Sequence, residues 1–146
     1  MEILPQSLVS ATTEMEFAMN KILVIDDEAI VRISCERALA PEGYEIRVAS
    51  GGREGLAFLE EEPFSLVLLD LKMPDIDGIE VLNTIKAKWP ETKVVMITGY
   101  STVDTAVQAL RLGAFNFIEK PFTPDTLVSA VKEIFDRTDQ KPEDTK

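Results

Sequence analysis

The chain has 146 residues, with 26 acidic side chains against 15 basic ones for a formal charge of −11, a single cysteine and no histidine. Without histidine it can supply neither a Ser-His-Asp or Cys-His nucleophile system nor a phosphohistidine, and one thiol with no imidazole builds no zinc site. A pI near 4.4 speaks against direct binding of nucleic acid or an anionic membrane, which leans on Lys and Arg contacts to phosphate.

Residues 1–19 show no clear apolar period and are expected to form a flexible N-terminal extension. Met19 stands directly before the first strand signal, so residues 1–18 also read as an over-long start. Met1-Glu2-Ile3-Leu4-Pro5 lacks the basic stretch of a signal peptide, and no apolar run approaches the roughly 20 residues that span a bilayer. Lone Cys35 cannot form an internal disulfide, which fits a reducing compartment. These features together point to the cytoplasm.

The first strong signal is the apolar run 21–25 (Lys-Ile-Leu-Val-Ile), which stops at Asp26-Asp27-Glu28. A helix over about 28–39 follows, with Val31, Cys35, Ala38 and Leu39 on one face and a stop at Pro41-Glu42-Gly43. Strands are predicted at 44–48 and 65–69, with a helix between them implied by the alternation. Asp77 and Glu80 form a capping-box pattern that opens a helix over about 78–88, whose inner face carries Gly78, Val81, Leu82 and Ile85. Trp89-Pro90 ends it. A strand at 93–97 leads to a fourth helix over about 101–112, where Ser101 and Asp104 imitate a capping box. After a strand at 115–118, Thr123 as N-cap and Pro124 as first helical residue start a last helix over about 124–136, with Leu127, Val131, Ile134 and Phe135 inward. The domain is expected to fill 20–137, and the polar residues 138–146 to be a disordered tail. Several strands are nearly continuous apolar runs, the mark of parallel strands covered on both faces. Five βα units give an α/β fold with a doubly wound, five-stranded parallel sheet.

In such a sheet, ligands bind outside the carboxyl ends of the strands. Strand one ends in Asp26-Asp27, strand three in Asp70, strand four in Thr98, and strand five runs out into Glu119-Lys120-Pro121. Three carboxylates, a hydroxyl and an ammonium therefore converge on one edge. Clustered carboxylates repel, and the remedy is a hard divalent cation such as Mg²⁺, which prefers oxygen ligands and keeps waters and a phosphate in its shell. With Lys120 and Thr98 added, a phosphoryl group would sit among positive charge and donors, which is most of what phosphoryl transfer asks of a protein. Asp70 is the natural nucleophile, since aspartate can form an acyl phosphate.

The segments Ile22-Leu23-Val24-Ile25-Asp26-Asp27-Glu28, Leu68-Leu69-Asp70-Leu71-Lys72-Met73-Pro74, Asp77-Gly78, Ile97-Thr98-Gly99 and Glu119-Lys120-Pro121-Phe122 resemble, in order, the receiver domain of bacterial two-component response regulators. The resemblance covers about 20–137 and implies a flavodoxin-like strand order 2-1-3-4-5. It implies that Asp70 accepts a phosphoryl group from a sensor histidine kinase or a histidine phosphotransfer protein, and that the chain acts as a switch, not as an enzyme on outside substrates. Asp27, Asp70 and the Lys72 backbone carbonyl would hold Mg²⁺, with Asp26 acting through water and Mn²⁺ an alternative ion. Lys120 would pair with the phosphoryl group, with its bond to Pro121 in the cis form. Thr98 would bond to phosphoryl oxygen and shift inward on activation, coupled to Phe117, the switch aromatic, whose competing role is plain strand packing. Lys72 and Tyr100 flank the path of attacking water and are expected to lengthen the phosphoryl lifetime.

The alternative reading is an aspartate-dependent Mg²⁺ phosphatase using the same Asp70 and Lys120 on an outside substrate; it lacks a cap insertion and a placed general acid. Asp75-Ile76-Asp77-Gly78 resembles superficially a dehalogenase-type phosphatase motif, but Asp70, not Asp75, ends the strand. Gly51-Gly52-Arg53-Glu54-Gly55 lacks the Gly-Lys-Ser/Thr ending of a P-loop. The segment from Thr98 to Ala114 is similar to receivers of nitrogen-regulator-type transcription activators. Residues after the last helix are too few for an effector, which leaves a stand-alone receiver or the N-terminal part of a longer protein. Output is expected on the face made by helix four, strand five and helix five, with Asp104, Gln108 and Arg111 exposed, toward a downstream protein or a C-terminal effector domain, and with dimerisation on phosphorylation as one form of it.

Overall fold

A computed structural model describes residues 20–99 and 103–139. The elements run β1 (Lys21–Ile25), α1 (Ala29–Leu39), β2 (Glu45–Ala49), α2 (Gly52–Glu61), β3 (Leu66–Asp70), α3 (Gly78–Lys88), β4 (Lys93–Thr98), α4 (Val103–Arg111), β5 (Asn116–Glu119) and α5 (Pro124–Asp139), with a short 3₁₀ turn at Ala40–Glu42. All pairings are parallel, and the strand order is β2-β1-β3-β4-β5. The expected α/β sheet and its order are therefore observed.

Alternation along each strand builds two cores. Leu23, Ile25, Val67, Leu69, Val94 and Met96 face one side, where Leu59 of α2, Val81, Leu82 and Ile85 of α3, and Ala109 of α4 cover them. Ile22, Val24, Leu66, Leu68, Val95 and Ile97 face the other, against Cys35 and Leu39 of α1 and Leu127, Val131 and Ile134 of α5. Each such side chain contributes about 1.5–3 kcal/mol on burial. The inner strands β1, β3 and β4 are apolar on both faces.

Cys35, the one thiol of the chain, lies fully inside the α1–α5 core. Burial, aided by the nearby negative charge of Asp26 and opposed by Lys120, pushes the thiol pKa up to about 12.

Local signals act largely as their chemistry predicts. Asp77 is the N-cap of α3, its Oδ1 accepting from Ile79 N at 2.9 Å. Thr123 Oγ1 accepts from Thr126 N at 3.1 Å at the start of α5. Several boundaries differ from expectation, among them β2 and β5, each of which lies one residue further along the chain, at Glu45–Ala49 and Asn116–Glu119. Strands β3 and β4 extend through Asp70 and Thr98, because the parallel ladder pairs Asp70 with Ile97 and Thr98 with Glu119; backbone pairing does not stop where side chains turn polar. Helix α5 runs to Asp139, past both the expected helix end and the start of the expected tail, since hydrogen bonding within a helix continues after its apolar stripe ends. The expected cap at Ser101 lies outside the described residues.

Candidate functional site

The strand order puts β1 beside β3, where the chain's progression across the sheet reverses, and β4 and β5 next in line. Asp26 N donates to Ala49 O at 3.1 Å, so Asp26 continues the line of β1 before the chain turns into α1. The turn is fixed by Asp26 itself: Oδ1 accepts from Glu28 N at 2.8 Å, and its backbone carbonyl accepts from Arg32 Nη1 at 2.8 Å. At the far side, Lys120 N donates to Thr98 O at 2.9 Å, and the Lys120–Pro121 bond is cis.

Lys120 Nζ reaches back over the edge among three carboxylates. It lies 2.8 Å from Glu28 Oε1, 2.9 Å from Asp26 Oδ2 and 3.5 Å from Asp70 Oδ1. Burial draws the ammonium pKa down, and Glu28, Asp26 and Asp70 more than offset this, so it stays raised and fully charged. Asp26 is wholly buried. Its Oδ2 meets Lys120 as a charge partner but receives no aligned hydrogen bond.

Asp70 is 3% exposed. Burial raises its pKa, the charges of Asp26 and Asp27 add to the rise, and Lys120 opposes it; the result is about 7 instead of 3.8. Burial raises Asp26 too, against the pull of Lys120 and the Glu28 amide. One oxygen from each of Asp26, Asp27 and Asp70 falls within 4.8 Å of the others. All-oxygen donors, an excess of negative charge and a buried oxygen lacking a donor together fit a hard divalent cation. The site opens to a cleft of about 640 Å³, lined by Asp27, Asp70, Lys72, Met73, Pro74 and Lys120 among others.

Of the residues singled out in the sequence, Asp26, Asp27, Asp70 and Lys120 come together, and Lys72 is exposed on the cleft wall. Thr98 is fully buried at the end of β4. Phe117 is half-buried on β5, packed against the α2–α4 core, and Pro121 is exposed. Tyr100 lies outside the described residues. Sequence reasoning quoted Glu28 without giving it a role, yet it is the shortest contact of Lys120. An acidic residue at the N-cap of α1 offering no side-chain cap is free to turn inward, but nothing in its local pattern names its partner, which is 92 positions away.

Residues 22–132 match the family model described as response regulator receiver domain. The chain is 39% identical over 124 residues to an NtrX-like response regulator of Rickettsia felis, covering 84% of this chain and 26% of that protein. It is 38% identical over 126 residues to the regulatory protein AtoC of Escherichia coli strain K12, covering 86% and 27%. The chain thus spans about a quarter of the length of these curated relatives. Among solved structures, it resembles a CheY-like response regulator receiver domain protein from Methanospirillum hungatei JF-1, with a TM-score of 0.78, 38% identity, and 81% of this chain and 94% of that one covered.

Proposed function

The chain belongs to the response regulator receiver domain family of two-component systems, and from that premise we propose that it is a phosphorylatable switch whose acceptor is Asp70. The single observation that carries this reading is Asp70 itself, a carboxylate buried at the end of β3 with Lys120 at 3.5 Å and Asp26 and Asp27 alongside. As a carboxylate, one Oδ attacks the phosphorus of a phosphoimidazole. The new O–P bond forms as the P–N bond breaks, and the leaving imidazole takes the electron pair and a proton from solvent. Asp27, Asp70 and the Lys72 carbonyl would hold a divalent cation, with Asp26 acting through water, and the cation would supply charge neutralisation for the transferring oxygens. Mg²⁺ fits this role, and Mn²⁺ is the alternative.

The chain's own residues do the rest. Lys120, held between Glu28 and Asp26, is positioned to swing toward a phosphoryl oxygen on Asp70. Thr98 offers a hydroxyl from the neighbouring strand, and its inward shift would open room for the Phe117 ring. Because these 146 residues contain no histidine, the phosphoryl donor lies outside them, in a sensor kinase or a histidine phosphotransfer protein. The output face is α4, β5 and α5, where Asp104, Gln108 and Arg111 are exposed, with Val107 at 39% and Leu110 at 48%. Its partner is a downstream protein, an effector domain of the kind a longer chain would carry, or a second copy joined on phosphorylation. No helix among the described residues is long and apolar enough to cross a membrane, and we assign the switch to the cytoplasm.

The test is incubation with acetyl phosphate and Mg²⁺. Wild type should gain one phosphoryl group by intact mass, and Asp70→Asn should gain none. Equal labelling of the two proteins would overturn the assignment.

A further inference from the structure

Two sequence features that the phosphoryl chemistry leaves unused, Asp75 and the pair Gly51-Gly52, meet in the folded molecule. Asp75 lies on the loop 71–77 that joins β3 to α3. Its Oδ1 accepts from Gly52 N at 3.2 Å and its Oδ2 from Arg53 N at 3.0 Å. Those are the first two residues of α2, whose own N-cap, Gly51, has no side chain to offer. A carboxylate borrowed from 22 positions downstream therefore caps α2, at the end where the helix dipole favours negative charge. Burial raises the Asp75 carboxyl, and hydrogen bonds from the backbone N–H groups of Arg53, Gly52, Asp75 and Ile76 together more than offset it and hold its pKa below the ordinary range.

The two glycines make this approach possible. A Cβ on Gly51 would stand 2.9 Å from Asp75 Oδ2, and one on Gly52 would stand 2.1 Å from the Ile76 side chain. The loop is also closed at its base, where Gly78 N donates to Leu71 O at 2.8 Å. Loop 71–77 is thus fixed at two ends and pinned near its middle. Lys72, whose carbonyl belongs to the proposed cation set, lies between the base and the pin.

We propose that Asp75 is a positioning residue, latching the β3–α3 loop onto the α2 N-terminus so that the Lys72 carbonyl is held ready for the divalent cation. The inference rests on the switch reading above and adds to it a residue that touches neither cation nor phosphoryl group. The latch acts by hydrogen bonds, not by its charge. The carboxamide of Asn keeps one acceptor oxygen for α2 and replaces the other, with the charge, by a donor, and Ala removes both oxygens.

The experiment is calorimetric titration of the whole chain with Mg²⁺ alone, for wild type, Asp75→Ala, Asp75→Asn and Leu59→Ala, the last loosening α2 without touching the latch. Amide hydrogen exchange is followed at Gly52 and Arg53. Asp75→Ala should weaken Mg²⁺ binding by about 3- to 10-fold, somewhat under the usual loss for a partner bonded directly to a ligand, and should speed exchange at both amides. Asp75→Asn, with one of the two acceptors left, should fall between wild type and Asp75→Ala, and Leu59→Ala should bind Mg²⁺ as wild type does. Wild-type affinity in Asp75→Ala overturns the latch. So does an equal loss in Asp75→Asn while exchange at Gly52 and Arg53 stays slow, which would make the effect one of charge, or an equal loss in Leu59→Ala, which would make it one of general stability. A wild-type chain that binds no Mg²⁺ overturns the switch reading itself, a separate result.

Discussion

Replacing Asp70 by Asn should make the cation-free protein more stable, and increasingly so as pH rises. Asp70 has its pKa lifted from 3.8 to about 7 by burial and by Asp26. The native state therefore binds this proton more tightly than the unfolded chain between those values. By linkage, whatever stability the protonated group allows is present below the unfolded pKa and is lost as pH climbs through the folded one. About three pKa units correspond to roughly 4 kcal/mol, an upper bound in a cleft open to water and counterions, so about 1–3 kcal/mol is the expected gain. The carboxamide of the Asp70→Asn variant cannot titrate, and its advantage should be small below about pH 3.5, about a quarter of its final size at about pH 4.5 and full by about pH 7.5. Urea unfolding in EDTA, followed by the fluorescence of Trp89, the one tryptophan, measures both. A gain that does not change with pH, or an Asn variant less stable than wild type at the upper end, refutes the reasoning. Saturating Mg²⁺ should stabilise wild type, with about 1.4 kcal/mol expected at ten times its dissociation constant, and should flatten the wild-type pH dependence.

Three further outcomes are expected. Gly78→Ala puts a Cβ 2.3 Å from the Asp70 carbonyl oxygen; backbone cannot yield there cheaply, so unfolding should show a loss of about 1–3 kcal/mol together with slower labelling by acetyl phosphate. Glu28→Gln removes one Lys120 partner, but the Glu28 side chain is 55% exposed, and the loss by urea unfolding should stay below about 1 kcal/mol; a larger value would mean the pair is far better shielded than its exposure indicates. Lys72→Asn combined with Tyr100→Glu should shorten the life of the acyl phosphate several-fold in a decay assay, and an unchanged decay rate would dismiss both as screens against water.

Much of the fold was legible because hydrophobic pattern and backbone pairing coincide in it. Ile22 and Val24 alternate with Leu23 and Ile25 inside one apolar run, which is how a strand reads when each face has its own core. The second helix was implied only by alternation, for Gly52 and Gly55 occupy its buried face and dilute the apolar stripe. Those glycines are there for closeness: a Cβ at Gly55 would stand 2.3 Å from Ile25. At the site, the strand-end rule found Asp26, Asp27, Asp70 and Lys120, since topology alone brings strand ends together. Glu28 and Asp75 escaped because each acts across a long sequence separation, on a lysine tip and on a neighbouring helix end. Local pattern carries no trace of such partners.

Cys35 has a practical consequence. A single thiol, fully enclosed by α1 and α5 and with a pKa near 12, is inert toward alkylating reagents until those helices part from the sheet. Its labelling rate is then a built-in clock for opening of this half of the molecule, read without any introduced probe. Because the same α1 carries Glu28 at its start, slower labelling in the presence of Mg²⁺ or beryllofluoride would report how far occupation of the acidic edge tightens the helix behind it.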